Sequence, residues 1–319
     1  MNSPVRRILV TGAAGFIGRA LTTALLDHPD NFNARIVLLD TFLIDHEDER
    51  VEIIQGDLVD PLAIGAAIGD GVDLVYHLAA VVGGAAEADY ALARRVNVDA
   101  TLTLFEQLRD SGRCPRVVNT SSIAVFGEPP PPSVDDDTEP RPTMTYGAQK
   151  RMMEVALAQF SARGWLDGIS LRLPAVVAKP VLPGIKAVFF NQLFHAFATG
   201  GDMTLPVSQE GTAWLLSTDA CIDALIQAWQ LPSAAIGHDR TITLPALRVA
   251  MGELVDALAR RFANGATRID FKPDLQLEAQ FASQPALSTA TADRLGFRHD
   301  GDIDRLVRRA VSSSLVLAP

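Results

Sequence analysis

Short, nearly unbroken apolar runs alternate through the first half of the chain with longer stretches in which apolar positions recur every three or four residues. The runs are "RRILVTG", "ARIVLLD", "VEIIQGD", "DLVYHLAA", "RVVNTSS" and "GISLRLPAVV". Runs this rich in Val, Ile and Leu predict strands buried on both faces. The periodic stretches "GRALTTALLDH", residues 94 to 111 and "TYGAQKRMMEVALAQFSARG" predict helices between them. Strands alternating with helices predict βαβ units, hence an α/β fold with a parallel sheet covered on both faces.

The second half has a different texture. "VAKPVLPGIKAVFFNQLFHAF" starts with prolines and turns into an apolar helical pattern, followed by strand-like "MTLPV" and "RTITL" and a helix within "VAMGELVDALARRFA". This predicts a smaller, irregular α/β portion that binds substrate. Its expected bounds are 179–211 and 249–319, against a main domain at 1–178 and 212–248. Phe189, Phe190, Phe194 and Phe197 recur at helical spacing and read first as core, with one or two available to line an apolar pocket. His195 among them reads as packed or surface. The stretch 127–143, "GEPPPPSVDDDTEPRPT", holds too many prolines for a helix or a central strand. It reads either as a solvated acidic loop or as the rim of a site.

Composition narrows the function classes. A net charge of -10 without any Lys/Arg run argues against a nucleic-acid surface. No window suggests a membrane span, and the six histidines show no metal-ligand spacing. The N-terminus passes straight into a strand without a signal-like segment. The two cysteines, Cys114 and Cys221, read as reduced thiols of a cytoplasmic protein.

Candidate chemistry begins after the first strand, where "LVTGAAGFIGRA" sets Gly12, Gly15 and Gly18 at G-x-x-G-x-x-G spacing and opens a helix with Phe16 and Ile17. Glycines there permit a tight turn and let a pyrophosphate approach backbone N–H groups at the helix N-terminus. The pattern predicts dinucleotide binding and so a Rossmann doubly wound sheet. Asp40, 22 residues beyond Gly18, ends the second strand. A carboxylate there accepts hydrogen bonds from ribose hydroxyls and repels a 2′-phosphate, which favours NAD over NADP. Its alternative reading is a strand-end cap. Tyr146 and Lys150, four apart in "TYGAQK", lie on one helix face. Taken alone they are either a surface pair or a phenol held beside a charge.

The order of these motifs resembles the extended short-chain dehydrogenase/reductase (NAD-dependent epimerase/dehydratase) family over nearly the whole chain. "GDL" matches the family's adenine contacts and implies that role for Asp57 and Leu58. "HLAA", with Leu78, Ala79 and Ala80, matches the segment under the cofactor, and Asn97 in "RVNVDAT" the family's helix asparagine. "TSSIAVFG" and "YGAQK" imply a catalytic set of Ser122, Tyr146 and Lys150 with Asn97, Ser121 being the runner-up serine. "RLPAVV" places Pro174 and Val176 against the nicotinamide. The resemblance implies hydride transfer between NAD and a secondary alcohol or ketone. Tyr146 would exchange the proton, Ser122 would bind the same oxygen and Lys150 would orient the ribose. A lysine ammonium ~4 Å from the phenol is worth about 4 kcal/mol at an effective dielectric of 20, which would bring tyrosine from about 10 to near 7.

Within the family the text is most similar to D-erythronate dehydrogenase-like proteins, which implies the C2 hydroxyl of a small sugar acid as substrate. Val82, Gly83, Ile123 and Ala124 join Ser122 and Tyr146 as expected substrate contacts. Departures cluster there: Gly83 and Ala85 replace a serine and an acid, Lys179 replaces an arginine, Gly184 an asparagine, and Thr212 a second arginine. Lys179, Lys186 or Arg141 would then hold a carboxylate as a point charge, or the pocket takes a less polar alcohol or ketone. A nucleoside-diphosphate-sugar epimerase or dehydratase and a non-catalytic NAD-binding regulator are the competing classes. The resemblance also implies a homodimer through a four-helix contact of the helices near 94–111 and 146–163. There Val98, Leu102, Phe105 and Leu108 form one stripe and Leu104 lies off it.

Overall fold

The computed structural model describes residues 6–177, 189–262 and 267–314. The chain divides into two compact units, one comprising Met1–Val125, Pro140–Arg172 and Leu225–Thr243, the other Phe126–Glu139, Leu173–Ala224 and Leu244–Pro319.

The first unit is built on seven strands. They are β1 (Arg7–Thr11), β2 (Arg35–Asp40), β3 (Val51–Gln55), β4 (Leu74–His77), β5 (Arg116–Ser122), β7 (Asp167–Leu173) and β11 (Thr241–Thr243), in the order β11-β7-β5-β4-β1-β2-β3. The registers of β1 with β2 and β4, of β2 with β3, of β4 with β5 and of β7 with β11 are all parallel. Ile8, Leu9 and Val10 are fully buried, as expected of a strand covered on both faces. Chain order reverses between β1 and β4, and a crevice at the carboxyl ends of strands at such a point is where doubly wound folds bind ligands.

The helices of this unit are α1 (Phe16–Asp27), α2 (Pro61–Ile68), α3 (Gly83–Ala88), α4 (Tyr90–Arg94), α5 (Thr101–Asp110) and α6 (Thr145–Ala162). Asp60 caps α2 through the Leu62 N–H, with Pro61 in the first turn, a start signal that apolar periodicity alone did not reveal. The helix expected near 94–111 is α4 and α5 joined by a π-helical segment, Arg95–Ala100. Leu104, off the expected stripe, is fully buried in one cluster with Leu108, Ile64 and Val117. Its apolar character therefore serves the chain's own core. Exposed apolar side chains on α4 and α6 are instead Tyr90, Met152 and Val155.

"GISLRLPAVV" is two strands. Pro174 lacks an N–H and interrupts the ladder, so β7 ends at Leu173 and β8 (Ala175–Val177) joins a different, three-stranded sheet in the second unit. There β10 (Thr212–Ser217) pairs in parallel with β8 and antiparallel with β12 (Leu247–Ala250). The unit also holds β6 (Ser133–Val134) paired with β14 (Ala286–Leu287) and β9 (Met203–Leu205) paired with β13 (Ile269–Phe271). Its helices are α7 (Phe189–Thr199), α9 (Met251–Phe262), α10 (Leu275–Phe281), α11 (Ala290–Arg294) and α12 (Ile303–Ser314), and α8 (Thr218–Gln230) follows β10. Phe189, Phe190, Phe194 and Phe197 are all buried in one core cluster with Leu254, Leu258 and Leu306, while His195 is exposed. The proline-rich stretch is not simply a solvated loop. Val134 in β6 is buried, and Asp136 accepts a hydrogen bond from the Thr291 N–H.

Candidate active site

The loop after β1 is shaped by backbone contacts that exclude a side chain. Gly12 has φ +71°, and a Cβ on it would lie 2.7 Å from the Ala79 nitrogen. On Gly18 a Cβ would lie 2.5 Å from the Gly12 carbonyl oxygen. Gly15 is the N-cap of α1, with no side-chain cap bond and no acidic residue in the first turn. The positive end of the helix dipole, where Phe16 and Ile17 open α1, thus faces the loop and favours an anion. Asp40 closes β2. Its Oδ2 accepts from the Ala14 N–H at 2.9 Å and its Oδ1 from the Phe42 N–H at 3.0 Å. The carboxylate braces the glycine loop and keeps lone pairs for hydroxyl donors. Asp57 is exposed and accepts from the Val59 N–H, while Leu58 is buried in the adjoining core. A glycine cradle, an uncapped helix start and a strand-end carboxylate fit a dinucleotide.

The segment after β4 passes the same loop. Buried His77 ties it down, with Nδ1 2.7 Å from Thr11 Oγ1 and Nε2 3.0 Å from Thr101 Oγ1. Burial, reinforced by the Lys150 charge, pushes the imidazole down to about 3, so it is neutral at physiological pH. Leu78, Ala79 and Ala80 follow half-buried. Asn97, inside the π-helical segment, clamps the next residue: its Oδ1 accepts from the Val81 N–H and its Nδ2 donates to the Val81 carbonyl, both at 2.8 Å. Nδ2 also donates to Gln149 Oε1 at 2.7 Å. Val82 is exposed, and Gly83 starts α3 with φ +47° and open space around its missing Cβ. Gly83 therefore answers to backbone conformation, not to crowding.

Ser122 at the end of β5 and Tyr146 in the first turn of α6 are brought into hydrogen-bond contact. Gly147 makes this approach possible, because a Cβ there would collide with the Ala124 carbonyl. Ile123 and Ala124 form the turn beyond Ser122, whose Oγ accepts from the Ala124 N–H at 3.1 Å. Ser121 faces elsewhere: it is buried and donates to Glu154 Oε1 at 2.6 Å. Lys150 is buried, donates from Nζ to the Thr120 carbonyl at 2.7 Å and lies 5.7 Å from the Tyr146 ring centre.

This geometry corrects one expectation. The phenol is not poised near neutrality by Lys150: burial pushes Tyr146 above the ordinary tyrosine range, and the Ser122 hydrogen bond opposes that only in part. Burial also pulls Lys150 down to about 8, with Glu154 acting the other way. The Lys150 charge is spent on the Thr120 carbonyl, and burial, near-complete for Lys150 and partial for the Tyr146 residue, disfavours the charged form of each.

Pro174 and Val176 are buried in the second unit. Lys179, Gly184 and Lys186 lie outside the described residues. Thr212 is half-buried, and its hydroxyl donates to the Gln284 carbonyl at 2.7 Å. Arg141 is exposed. Sequence reasoning passed over Gly147, Gln149, Glu154, Arg172 and Glu87, whose carboxylate accepts from the Tyr146 N–H at 3.3 Å. Gly147 beside the tyrosine was a readable signal, whereas a buried Glu on an amphipathic helix looks like any surface acid.

The model of the NAD dependent epimerase/dehydratase family matches residues 8–237. The chain is 38% identical to D-erythronate dehydrogenase of Cupriavidus necator over 94% of its own length and 96% of that protein. It is 30% identical to D-erythronate dehydrogenase of Haemophilus influenzae, covering 96% and 98%. Among solved structures it resembles a nucleoside-diphosphate-sugar epimerase from Agrobacterium tumefaciens, with TM-score 0.87, 29% identity and coverage of 98% and 96%.

Proposed function

Because the chain belongs to the NAD dependent epimerase/dehydratase family, as an oxidoreductase that uses NAD, we propose that it oxidises the C2 hydroxyl of a small sugar acid of the D-erythronate kind. The observation that carries the chemistry is the hydrogen-bonded Ser122–Tyr146 pair with the Lys150 ammonium one helical turn away. The substrate class rests on the likeness to two D-erythronate dehydrogenases along nearly the full chain.

In this reading the substrate hydroxyl sits where Ser122 Oγ and Tyr146 Oη converge. Ser122 donates to the oxygen as it becomes a carbonyl, and Tyr146 accepts the proton. Bound NAD supplies the hydride acceptor and, when oxidised, a positive charge that favours the phenolate. Asp40 faces the adenosine ribose, and Gly12, Gly15 and Gly18 with the start of α1 face the pyrophosphate. Asn97 and His77 hold the loop from Leu78 to Val82 in place beneath the cofactor. Asp57 and Leu58 take the adenine, Pro174 and Val176 the nicotinamide, and Val82, Gly83, Ile123 and Ala124 the substrate. Lys179 or Lys186 takes its carboxylate.

A second reading is favoured by Thr212, whose hydroxyl is committed to a backbone carbonyl where an arginine was expected. In it the substrate is a less polar secondary alcohol. NADH formation at 340 nm with purified protein, NAD, D-erythronate, other sugar acids and neutral secondary alcohols separates the two. Turnover of sugar acids supports the first reading, and turnover of neutral alcohols alone supports the second. Silence across the panel, with NAD retained by the purified protein, supports an epimerase instead.

The protein works as a cytoplasmic homodimer in this proposal. Exposed Tyr90, Met152 and Val155 on α4 and α6 supply an apolar face for a second copy, and Cys114 and Cys221, which are not in a disulfide, suit a reducing compartment.

A further inference from the structure

Behind Lys150 and Ser122 lies a buried ionic cluster that the proposed chemistry does not use. Glu154 is one turn beyond Lys150 on α6, and its side chain is entirely out of solvent. Its Oε1 accepts from Ser121 Oγ at 2.6 Å and from Arg172 Nε at 2.9 Å. Its Oε2 accepts from Arg172 Nη2 at 2.9 Å and from Arg151 Nη1 at 3.0 Å. One carboxylate thus joins three elements: α6, which carries Tyr146 and Lys150; the end of β5, which carries Ser122; and β7 through Arg172.

Such a cluster is costly to bury and is weak evidence for stability as such. Its placement is more specific. Ser121 and Ser122 are consecutive residues of one strand, so a bond that fixes the inward hydroxyl of Ser121 also fixes the opposite-facing Ser122. Lys150 donates to the carbonyl of Thr120, the residue just before them. The strand end is therefore gripped from α6 at two successive residues.

We propose that Glu154 is a positioning residue: its carboxylate locks the β5 end against α6 so that Ser122 and Tyr146 meet, and it balances the charge of Lys150. The inference rests on the oxidoreductase reading for its catalytic consequence; for the state of Lys150 it rests on the one-turn spacing of Glu154 and Lys150 on α6, at which an opposite charge favours the ammonium. The charged and titratable groups facing Lys150 are Tyr146 and Glu154 on α6 and neutral His77 from β4. Arg151 and Arg172 act across Glu154. Glu154 is the one anion in this set, so its removal disfavours the ammonium, and the retained guanidinium of Arg172 adds to the effect.

The chain has four lysines, which makes a direct titration practical. The experiment follows the ε-carbon resonances of labelled lysine against pH in wild type and Glu154→Gln, with Lys150 assigned by Lys150→Arg. Lys150 in Glu154→Gln should lose its proton about one pH unit or more below wild type, the size of effect an opposite charge at close range exerts. Ser121→Ala should leave that midpoint in place while lowering kcat several-fold, because it removes the strand tie and not the charge. Should Glu154→Gln fail to fold, Glu154→Gln/Arg172→Met removes the guanidinium too and should still titrate below wild type. An unmoved Lys150 midpoint in a folded Glu154 variant, together with wild-type kcat in Ser121→Ala, would overturn the proposal. Wild-type protein that forms no NADH on any alcohol would sink the oxidoreductase reading while leaving the lysine titration as an independent test of the charge balance.

Discussion

The two units bury polar side chains to different ends. In the first, Thr11, His77, Asn97, Ser121, Gln149, Lys150, Glu154 and Arg172 are all buried, and they gather where β1, β4 and β5 end and α6 begins. Among them are a lysine and a carboxylate held almost wholly out of water, a cost that packing alone does not require. In the second, buried Asp300 accepts from the Ser217 N–H at 2.9 Å and the Ser217 hydroxyl at 2.6 Å, and Ser217 Oγ in turn accepts from the Ala220 N–H. That set caps the start of α8 and fixes the β10 end to the turn before α12. The first unit's buried polar groups bond one another as well as backbone, Ser121 to Glu154 and Asn97 to Gln149, whereas the Asp300–Ser217 set of the second closes on backbone N–H groups. Burial of a polar residue thus says little by itself; what distinguishes the two is what the set abuts, Ser122 and Tyr146 in the first and backbone N–H groups in the second.

The sharpest way to break this comparison is to remove the proton-exchanging group. Tyr146→Phe should cut kcat by about 10² to 10⁴ while melting at the wild-type temperature, measured by initial NADH rates and thermal unfolding. Asp300→Ala should do the reverse. Leaving the Ser217 donors without an acceptor should cost about 3 kcal/mol of stability in denaturant unfolding, with the KM for NAD unchanged. His77 tests the first unit's architecture. Its folded-state pKa of about 3 lies below the unfolded value of 6.5, so the unfolded state binds the extra proton as pH falls between them. Stability from this group is therefore fully present above pH 6.5 and is lost progressively on acidification, by about 2 kcal/mol at pH 5. His77→Gln should flatten that loss in urea melts at pH 7 and pH 5. The smallest effect on activity is expected from Met152→Glu, which should shift the molecular mass in light scattering from that of the proposed dimer to that of a monomer and leave kcat within about twofold.

Legibility followed the same division. Where function needs backbone to approach backbone, only glycine fits, and Gly12 and Gly18 announced the cofactor loop from the text alone. That Ser122 and Tyr146 meet could be read because their motifs resemble a family's, while the physical argument attached to Tyr146 and Lys150 was incomplete. It set the phenol beside an ammonium in partial solvent and omitted the burial that dominates both groups. Pro174 was misread within one strand because an apolar run does not show that the chain changes sheets. Glu154 and Arg172 were missed because their pairing joins a helix to a strand 18 residues on, a separation that no local periodicity encodes. Leu104 misled in the opposite direction, offering an apolar surface that the chain's own core covers.

The central claim is that a phenol held in its protonated form by burial exchanges the substrate's proton. The most direct test is the pH dependence of kcat/KM for alcohol oxidation, in saturating NAD, from pH 6 upward. If Tyr146 must give up its proton before it can accept one, the value rises by roughly tenfold per pH unit on the acid side of its midpoint. A profile that stays flat from pH 6 to pH 9 would contradict the account.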